Sequence, residues 1–327
     1  MRIIATVPVY NEVDIIGQVL EHLSMQGVDF VVLDGGSHDG SAEIARGFAG
    51  KGLLELKILK RNHFQLKENL DVLLKMAIRY RPDWIIRNDA DEFFEGPVAG
   101  QSLGEAIAKR DQFGSNLVQF DNFEFCLTEK DCDSAEVDIR KKLRFYTWSD
   151  DFRYKAWKYY AGTEDRESGG HYPIFPRGVK AKLSDTKFVL RHYRFRSPEQ
   201  ALRKVFRDRL PRFSPEERSS KLWHVQYDHF KTAPARFFVL NSDELACVDG
   251  KWDTTPRYSW YPGDHFHSRE EILLLSKIQE RTGLLGIGFT WSLLHQVKLL
   301  KSRMFPANAN RGEVLEMLVQ VANHAIH

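Results

Sequence analysis

The chain has 327 residues, of which 43% are hydrophobic and 28% charged, and its 47 basic and 45 acidic residues give a net charge of +2. Such a balance does not favour a polyanion as partner, so we expect no nucleic-acid ligand. Three cysteines are too few for a disulfide framework, and no apolar run is long enough to span a bilayer. The opening residues lack the apolar core of a signal peptide, so we expect a cytoplasmic protein.

Four strand patterns alternate with three helical patterns in the first 90 residues. The strands are predicted at Arg2 to Val7, Phe30 to Leu33, Leu54 to Leu59 and Trp84 to Ile86. The helices are predicted at Val13 to Leu23, Ala42 to Phe48 and Leu66 to Tyr80. This alternation indicates a parallel sheet covered on both faces, in which the loops at the carboxyl ends of the strands form one crevice.

The pattern changes farther along the chain. Further strands are predicted at Asn116 to Leu127, Lys142 to Trp148 and Phe188 to Phe195, and further helices at Glu270 to Gln279, Phe289 to Leu300 and Glu313 to Val321. We therefore expect an α/β core over residues 1–200. Residues 201–327 are predicted to form a mainly helical C-terminal extension.

Two of these strand ends carry acidic or glycine-rich stretches. Asp89 and Asp91, with small Ala90 between them, can both turn toward one hard divalent cation such as Mn²⁺ or Mg²⁺, although a solvated acidic turn fits the same residues. In the loop from Asp34 to Ser41, three glycines allow close backbone approach to a nucleotide, whereas an ordinary strand-to-helix turn is the alternative. The chain lacks both G-x-G-x-x-G after the first strand and a P-loop, which disfavours dinucleotide oxidoreductases and P-loop enzymes.

Three motifs in fixed order resemble those of family-2 glycosyltransferases with the GT-A fold. They are Val7-Pro-Val-Tyr-Asn-Glu12, Val31-Val-Leu-Asp-Gly-Gly-Ser-His-Asp-Gly-Ser41 and Asn88-Asp-Ala-Asp-Glu92. This resemblance implies a Rossmann-like mixed sheet flanked by helices, with residues 201–327 on the acceptor or partner side. The resemblance also implies a nucleotide-sugar donor, a divalent metal on the D-x-D pair, and transfer with inversion at the anomeric carbon. The matching positions are Pro8, Tyr10 and Glu12 for the nucleoside pocket, Asp34 for the base, Asp89 for the ribose or a water-mediated contact, and Asp91 for the metal. Lys67 is a looser match to a basic residue at a helix start, and Gly35 replaces a frequent second acid, which leaves the nucleotide open.

The strand pattern near residue 190 ends in basic residues. His192, Arg194 and Arg196 alternate onto one face of this predicted strand. Because related GT-A enzymes often supply a late histidine, the resemblance makes His192 a third metal ligand, with Arg194 or Arg196 on the diphosphate. A structural or exposed His192 is the alternative.

An inverting enzyme needs a general base for the acceptor hydroxyl. The family's usual candidate is an acid in a G-x-E-D-like segment, which Gly162-Thr-Glu-Asp165 resembles. Asp165 is the first candidate, Glu164 the second and His171 the third. An exposed acidic loop is the alternative reading of the segment.

Two later segments allow two interpretations each. Arg203 to Arg218 is predicted to be a solvated basic surface, with contact to a phosphorylated acceptor as the alternative. Leu284 to Leu300 is predicted to be a buried helix, with peripheral contact to the inner face of a membrane as the alternative.

The leading functional prediction is a metal-dependent glycosyltransferase that moves a sugar from a UDP-sugar to a hydroxyl of a glycan or lipid-linked saccharide. A nucleotidyltransferase that makes a nucleotide-sugar would carry a glycine-rich, basic loop after the first strand, which Val7 to Glu12 lacks. A non-catalytic nucleotide- or sugar-binding module would have little need of a metal-ready acid pair. The sequence indicates neither the sugar, nor the acceptor, nor the oligomeric state.

Overall fold

A computed structural model of the protein describes residues 1–60, 65–132, 134–166, 168–216 and 238–254. The strands are β1 (Ile3–Val9), β2 (Asp29–Asp34), β3 (Leu53–Ile58), β4 (Trp84–Arg87), β5 (Glu92–Glu95), β6 (Leu117–Phe125), β7 (Phe145–Lys158), β8 (Phe188–His192) and β9 (Ala246–Cys247). The α-helices are α1 (Ile16–Met25), α2 (Ser41–Arg46), α3 (Leu66–Ile78), α4 (Leu103–Gln112), α5 (Ile139–Lys142) and α6 (Pro198–Leu202). A π-helical turn, Arg203–Arg209, and a short 3₁₀ helix, Leu210–Arg212, continue α6.

The strands form one mixed sheet in the order β3-β2-β1-β4-β7-β6-β8-β5, with β9 added to β7. The first four strands in this order run parallel, whereas β7 is antiparallel to both β4 and β6, and β5 is antiparallel to β8. The prediction of an α/β fold with a mixed sheet flanked by helices is confirmed. The division at residue 200 stays a prediction, and the three predicted helices after residue 270 lie outside the described residues.

The centre of the parallel half is apolar on both faces. β1 and β2 are buried along nearly their whole length, which explains why each is a continuous apolar run rather than an alternating one. Helix α1 covers this sheet with Val19, Leu20 and Leu23, all of which are buried in the main core. The parallel strands are thereby fixed, and their carboxyl ends lie side by side.

Several boundaries differ from the predicted ones. β7 runs to Lys158, ten residues beyond the predicted end at Trp148, because its second half pairs with β4 as well as β6. β8 ends at His192 rather than Phe195, since its pairing with β5 and β6 ends there. Helix α4, which was not predicted, starts at a capping box between Ser102 and Glu105.

The helices of the described part of the chain are all too short or too polar to cross a membrane.

Candidate functional site

The loops after β1 and β2 are bonded to each other at the carboxyl edge of the sheet. The backbone N–H of Asn11 donates to Ser37 Oγ at 2.9 Å, and the N–H of Glu12 donates to Ser41 Oγ at 2.9 Å. Asn11 adopts a left-handed conformation with φ 52°, which turns the chain from β1 toward the second loop. The structure therefore brings the first two motifs together, as expected from adjacent parallel strands.

Asp34 ends β2 and is fully buried. Its Oδ1 accepts hydrogen bonds from the N–H groups of Gly36 at 2.8 Å and Ser37 at 2.7 Å. Its Oδ2 is buried and has no hydrogen-bond partner among the described residues. A buried carboxylate oxygen without a partner is costly, so Oδ2 can accept a hydrogen bond from an N–H or O–H group of a ligand. Pro8 lies beside this strand end, in register with Leu33.

Tyr10 is covered by an arginine from a distant segment. The guanidinium carbon of Arg212 lies 3.3 Å from the centroid of the Tyr10 ring. The same guanidinium donates from Nη2 to the carbonyl of Gly35 at 2.9 Å. Arg212 therefore joins the loops after β1 and β2 from above, through a stacked contact and a hydrogen bond.

The two oxygens of Asp91 face two different cationic side chains. Oδ1 lies 3.5 Å from His192 Nε2, and Oδ2 accepts a hydrogen bond from Lys204 Nζ at 2.6 Å. Burial would raise the pKa of Asp91, but Lys204 and His192 hold this pKa well below its usual range. Asp91 is therefore a buried, ionised carboxylate.

His192 lies in a row across three strands. It is in register with Glu92 of β5 on one side and with Glu124 of β6 on the other. Its Nδ1 lies 2.6 Å from Glu124 Oε2, while Arg194 Nε lies 3.3 Å from Glu124 Oε1. Although burial opposes it, Glu124 and Asp91 raise the pKa of His192 to about 10. In the absence of any ligand, the imidazole is thus a cation between two carboxylates.

A divalent cation fits between Asp91 and His192. Two ligands each about 2.1 Å from one ion lie about 3 to 3.5 Å apart, which agrees with the 3.5 Å between Asp91 Oδ1 and His192 Nε2. Glu124 at Nδ1 would orient the ring and select the tautomer that offers Nε2. The described residues hold no cluster of three or more metal-binding side chains.

Asp89 belongs to a different ion-pair group from Asp91. Lys155 Nζ donates to Asp89 Oδ2 at 2.9 Å and to the two oxygens of Glu92 at 2.6 and 2.7 Å. Desolvation would raise the pKa of Asp89, but Lys155 lowers it to about 2, whereas burial raises the pKa of Glu92. The Asp89 side chain is 47% exposed, while Lys155 is buried. The Asp89 carboxylate is therefore partly exposed to solvent, while the lysine that pairs with it is buried.

Arg196 holds the end of the first motif. It donates from Nη2 to Glu12 and Asp14 and from Nε to Asp14 at 2.7 Å, and its Nη1 bonds the carbonyl of Tyr193 at 2.9 Å. Both Arg196 and Glu12 are buried. Arg196 thus orients Glu12 through charge-assisted hydrogen bonds, whereas Arg194 pairs with Glu124, which is also the partner of His192.

Asp165 is buried against the strand that leads to the D-x-D pair. Its Oδ2 accepts hydrogen bonds from Nε and Nη2 of Arg87, the last residue of β4. Its Oδ1 is buried without a hydrogen-bond partner in the described part of the chain. Because Arg87 lies two residues before Asp89, this ion pair ties Asp165 to the D-x-D segment.

The other predicted residues lie in more exposed surroundings. Glu164 is half-buried and lies 3.0 Å from Arg166 Nε. His171 is exposed, and its Nδ1 lies 2.9 Å from Arg153 Nη1. Lys67 is half-buried in the first turn of α3. Nothing in these contacts brings the three to the Asp91 carboxylate.

Three buried residues of the site were not found from the sequence. Lys155 and Glu124 stand among aromatic residues on their strands, and Lys204 stands in the basic segment that begins at residue 203. A charged residue inside an aromatic run was the available signal for the first two, because a strand buried on both faces holds charges only in pairs. The prediction of a solvated surface from Arg203 onward is wrong for Lys204 and Arg212, which are buried by their acidic and aromatic partners.

Residues 5–121 match the sequence model of glycosyl transferase family 2. Among solved structures, S. aureus TarS 1-349 is similar with a TM-score of 0.39 and 15% identity over 75% of this chain and 77% of that chain. The same fragment in complex with UDP gives 0.37 and 15% over the same shares, and S. aureus TarS gives 0.36 and 16% over 73% of this chain and 45% of that chain. No curated protein sequence matches significantly. The family match confirms the resemblance carried by the three motifs.

Proposed function

We propose that the protein transfers a sugar from a UDP-sugar to an acceptor hydroxyl. The ground for this proposal is the match of residues 5–121 to glycosyl transferase family 2. The acceptor is a glycan or a lipid-linked saccharide, and the reaction inverts the anomeric carbon. The family match itself supports glycosyl transfer. The donor, the acceptor class, the metal and the residue roles below are our proposal.

The observation that carries the proposal is the unpaired oxygen of Asp34. A buried Oδ2 without a described partner, at the end of β2, suits the N–H of a nucleobase. Pro8 lies near the end of the neighbouring strand β1, and Tyr10 and Glu12 follow that strand. The site is therefore suited to a nucleoside whose base hydrogen-bonds Asp34.

Asp91 and His192 would hold a divalent cation, which supplies positive charge to the diphosphate as it leaves. Asp91 stays ionised because Lys204 and His192 stabilise its charged form. Glu124 orients the imidazole ring from the opposite side. Asp89, whose Oδ2 accepts a hydrogen bond from Lys155, would contact the ribose or a water molecule.

Asp165 would accept the proton of the acceptor hydroxyl. Arg87 fixes Oδ2, and Oδ1 remains for the hydroxyl hydrogen. As that O–H bond breaks, the acceptor oxygen forms the new bond to the anomeric carbon on the face opposite the diphosphate, which leaves with its bonding electron pair. Attack on the opposite face inverts the configuration.

Hydrolysis of donors tests the assignment. The purified protein is incubated with UDP-sugars and GDP-sugars in Mn²⁺ or in EDTA, and the release of nucleoside diphosphate is measured. We expect slow release that depends on Mn²⁺ and is fastest with one UDP-sugar. Exchange of pyrophosphate into a nucleotide-sugar would instead indicate a nucleotidyltransferase. Nucleotide binding without either reaction would indicate a binding module.

A further inference from the structure

Lys204 is a buried lysine at the centre of the candidate site. Its ammonium lies 2.8 Å from Glu12 Oε1 and 2.6 Å from Asp91 Oδ2, and its side chain is 4% exposed. Glu12 follows β1 and Asp91 follows β4, so one ammonium links two of the three motif-bearing strand ends. Both contacts pair the ammonium with a buried carboxylate.

The segment that carries Lys204 is held over the site at two points. Arg203 donates from Nη2 to the carbonyl of Asn11 at 2.8 Å, and Asp208 accepts from Nδ2 of Asn11 at 2.8 Å. At the far end, Arg212 bonds the carbonyl of Gly35 at 2.9 Å. The turn between these points is π-helical, a rare geometry that is often found at functional sites.

The charge of this segment is strongly one-sided. Residues 203–212 contain five basic residues and one acid. Lys204 Nζ donates a hydrogen bond to Asp91 Oδ2 and forms an ion pair with Glu12 Oε1, so its charge lies where the ends of β1 and β4 meet. A lysine ammonium is a common point-charge ligand of phosphate oxygens.

The position of Lys204 relative to the metal candidates decides its role. Asp91 offers Oδ1 to His192 and Oδ2 to Lys204, so a cation on the Oδ1 side would leave the ammonium in place on the other oxygen. A diphosphate bound to that cation would then lie next to a second, fixed positive charge. A lone Asp91–metal contact would offer the leaving group only one.

We propose that Lys204 binds the diphosphate of the donor directly, as a positioning residue that acts beside the metal. The proposal rests on the proposed function, because it presumes a nucleoside-diphosphate donor. It assigns to Lys204 a preference for the second phosphate over the first, and it makes the basic segment at residues 203–212 a part of the donor site rather than a free surface.

The test compares the affinities for UDP and UMP in one variant, measured by calorimetry in Mn²⁺. Lys204→Met keeps the length of the side chain and removes its charge. We expect its affinity for UDP to fall by about 10-fold or more, as for the loss of one charge-assisted hydrogen bond, while its affinity for UMP changes about 3-fold or less. Lys204→Arg should restore part of the preference. The ratio within one variant does not depend on the folded fraction.

The outcomes separate this inference from the proposed function. If the wild-type protein binds neither UDP nor GDP, both are overturned. If it binds UDP but Lys204→Met keeps the same ratio of UDP to UMP affinity, or loses both ligands equally, only the role of Lys204 is overturned. Lys158→Met is the matched control, because Lys158 pairs with Asp111 away from the motifs. Should Lys204→Met fail to fold, Lys204→Gln, whose amide can still donate to Glu12 or Asp91, makes the same comparison.

Discussion

The two halves of the sheet place their charges differently. In the parallel half, β1 and β2 are mainly apolar, and the acidic residues of the site lie at or after the ends of the strands, as Asp34 does. In the mixed half, ionisable residues lie within the strands themselves, as Glu124, Lys155 and His192 do. Each of these three is paired with an opposite charge from another element. The parallel half therefore supplies an apolar scaffold whose strand ends carry site residues, and the mixed half supplies buried ion pairs.

The largest expected effect comes from the carboxylate where the two halves meet. Asp91→Ala removes the candidate metal ligand and one partner of Lys204, so we expect metal-dependent turnover to fall about 10³-fold or more. Asp89→Ala, which removes a half-exposed carboxylate, should lower turnover less. Donor hydrolysis and Mn²⁺ titration with bound nucleotide measure both. An Asp91→Ala variant with the wild-type dependence on Mn²⁺ would overturn the assignment.

The second prediction concerns the base. Asp165→Asn keeps the shape of the side chain but cannot take a proton, so we expect turnover to fall by about 10²-fold or more. The affinity for UDP should be nearly unchanged, because the change does not touch Asp34 or Asp91. Steady-state transfer and calorimetric UDP binding measure the two quantities. Glu164→Gln, one residue earlier and half-buried, is the control and should keep most of the turnover.

The third prediction compares the stability of the two halves. Lys155→Met leaves Glu92 buried without its cation, so we expect the free energy of unfolding to fall by about 3 to 5 kcal/mol. In the parallel half, Ile4→Val removes one buried methylene and should cost about 1 kcal/mol. Urea unfolding followed by circular dichroism measures both. Equal losses would show that charge pairing does not distinguish the halves.

The smallest expected effect is a pH dependence of the protein's stability, which comes from His22 in helix α1. Burial lowers the pKa of His22, whose Nε2 lies 2.8 Å from the carbonyl of Phe94. Between this lowered pKa and the usual value near 6.5, the unfolded chain binds more protons than the folded one, so stability falls as the pH falls below about 6.5. His22→Gln should flatten the stability profile between pH 5 and 7. An unchanged slope would assign it to other groups.

The strand ends of the parallel half were predictable because their signals are local. Each short apolar run is followed at once by its motif, and parallel strands end at one edge of the sheet, so Asp34 and Asp91 could be placed at the same edge from the sequence. The observed boundaries of these strands differ from the predicted ones by one or two residues. For example, β3 is Leu53–Ile58 rather than Leu54 to Leu59.

The buried ion pairs could not be predicted because the two partners of each pair are far apart in the sequence. Lys155 meets Glu92 across 63 positions, and Lys204 meets Asp91 across 113. Such pairs depend on the register of β7 and on the path after β8, neither of which follows from local periodicity. Glu124 illustrates this, since its place between Phe123 and Phe125 indicates a buried charge but does not indicate that His192 is its partner.

The contact between Arg212 and Tyr10 has a kinetic consequence. One face of an aromatic ring holds one planar group at van der Waals distance, and the guanidinium carbon lies 3.3 Å from the ring centroid. A nucleobase that is to stack on this face can do so only after the arginine has left it. The observed association rate should then rise with nucleotide concentration toward a ceiling, which is the rate at which Arg212 leaves the ring, and Arg212→Ala should remove that ceiling.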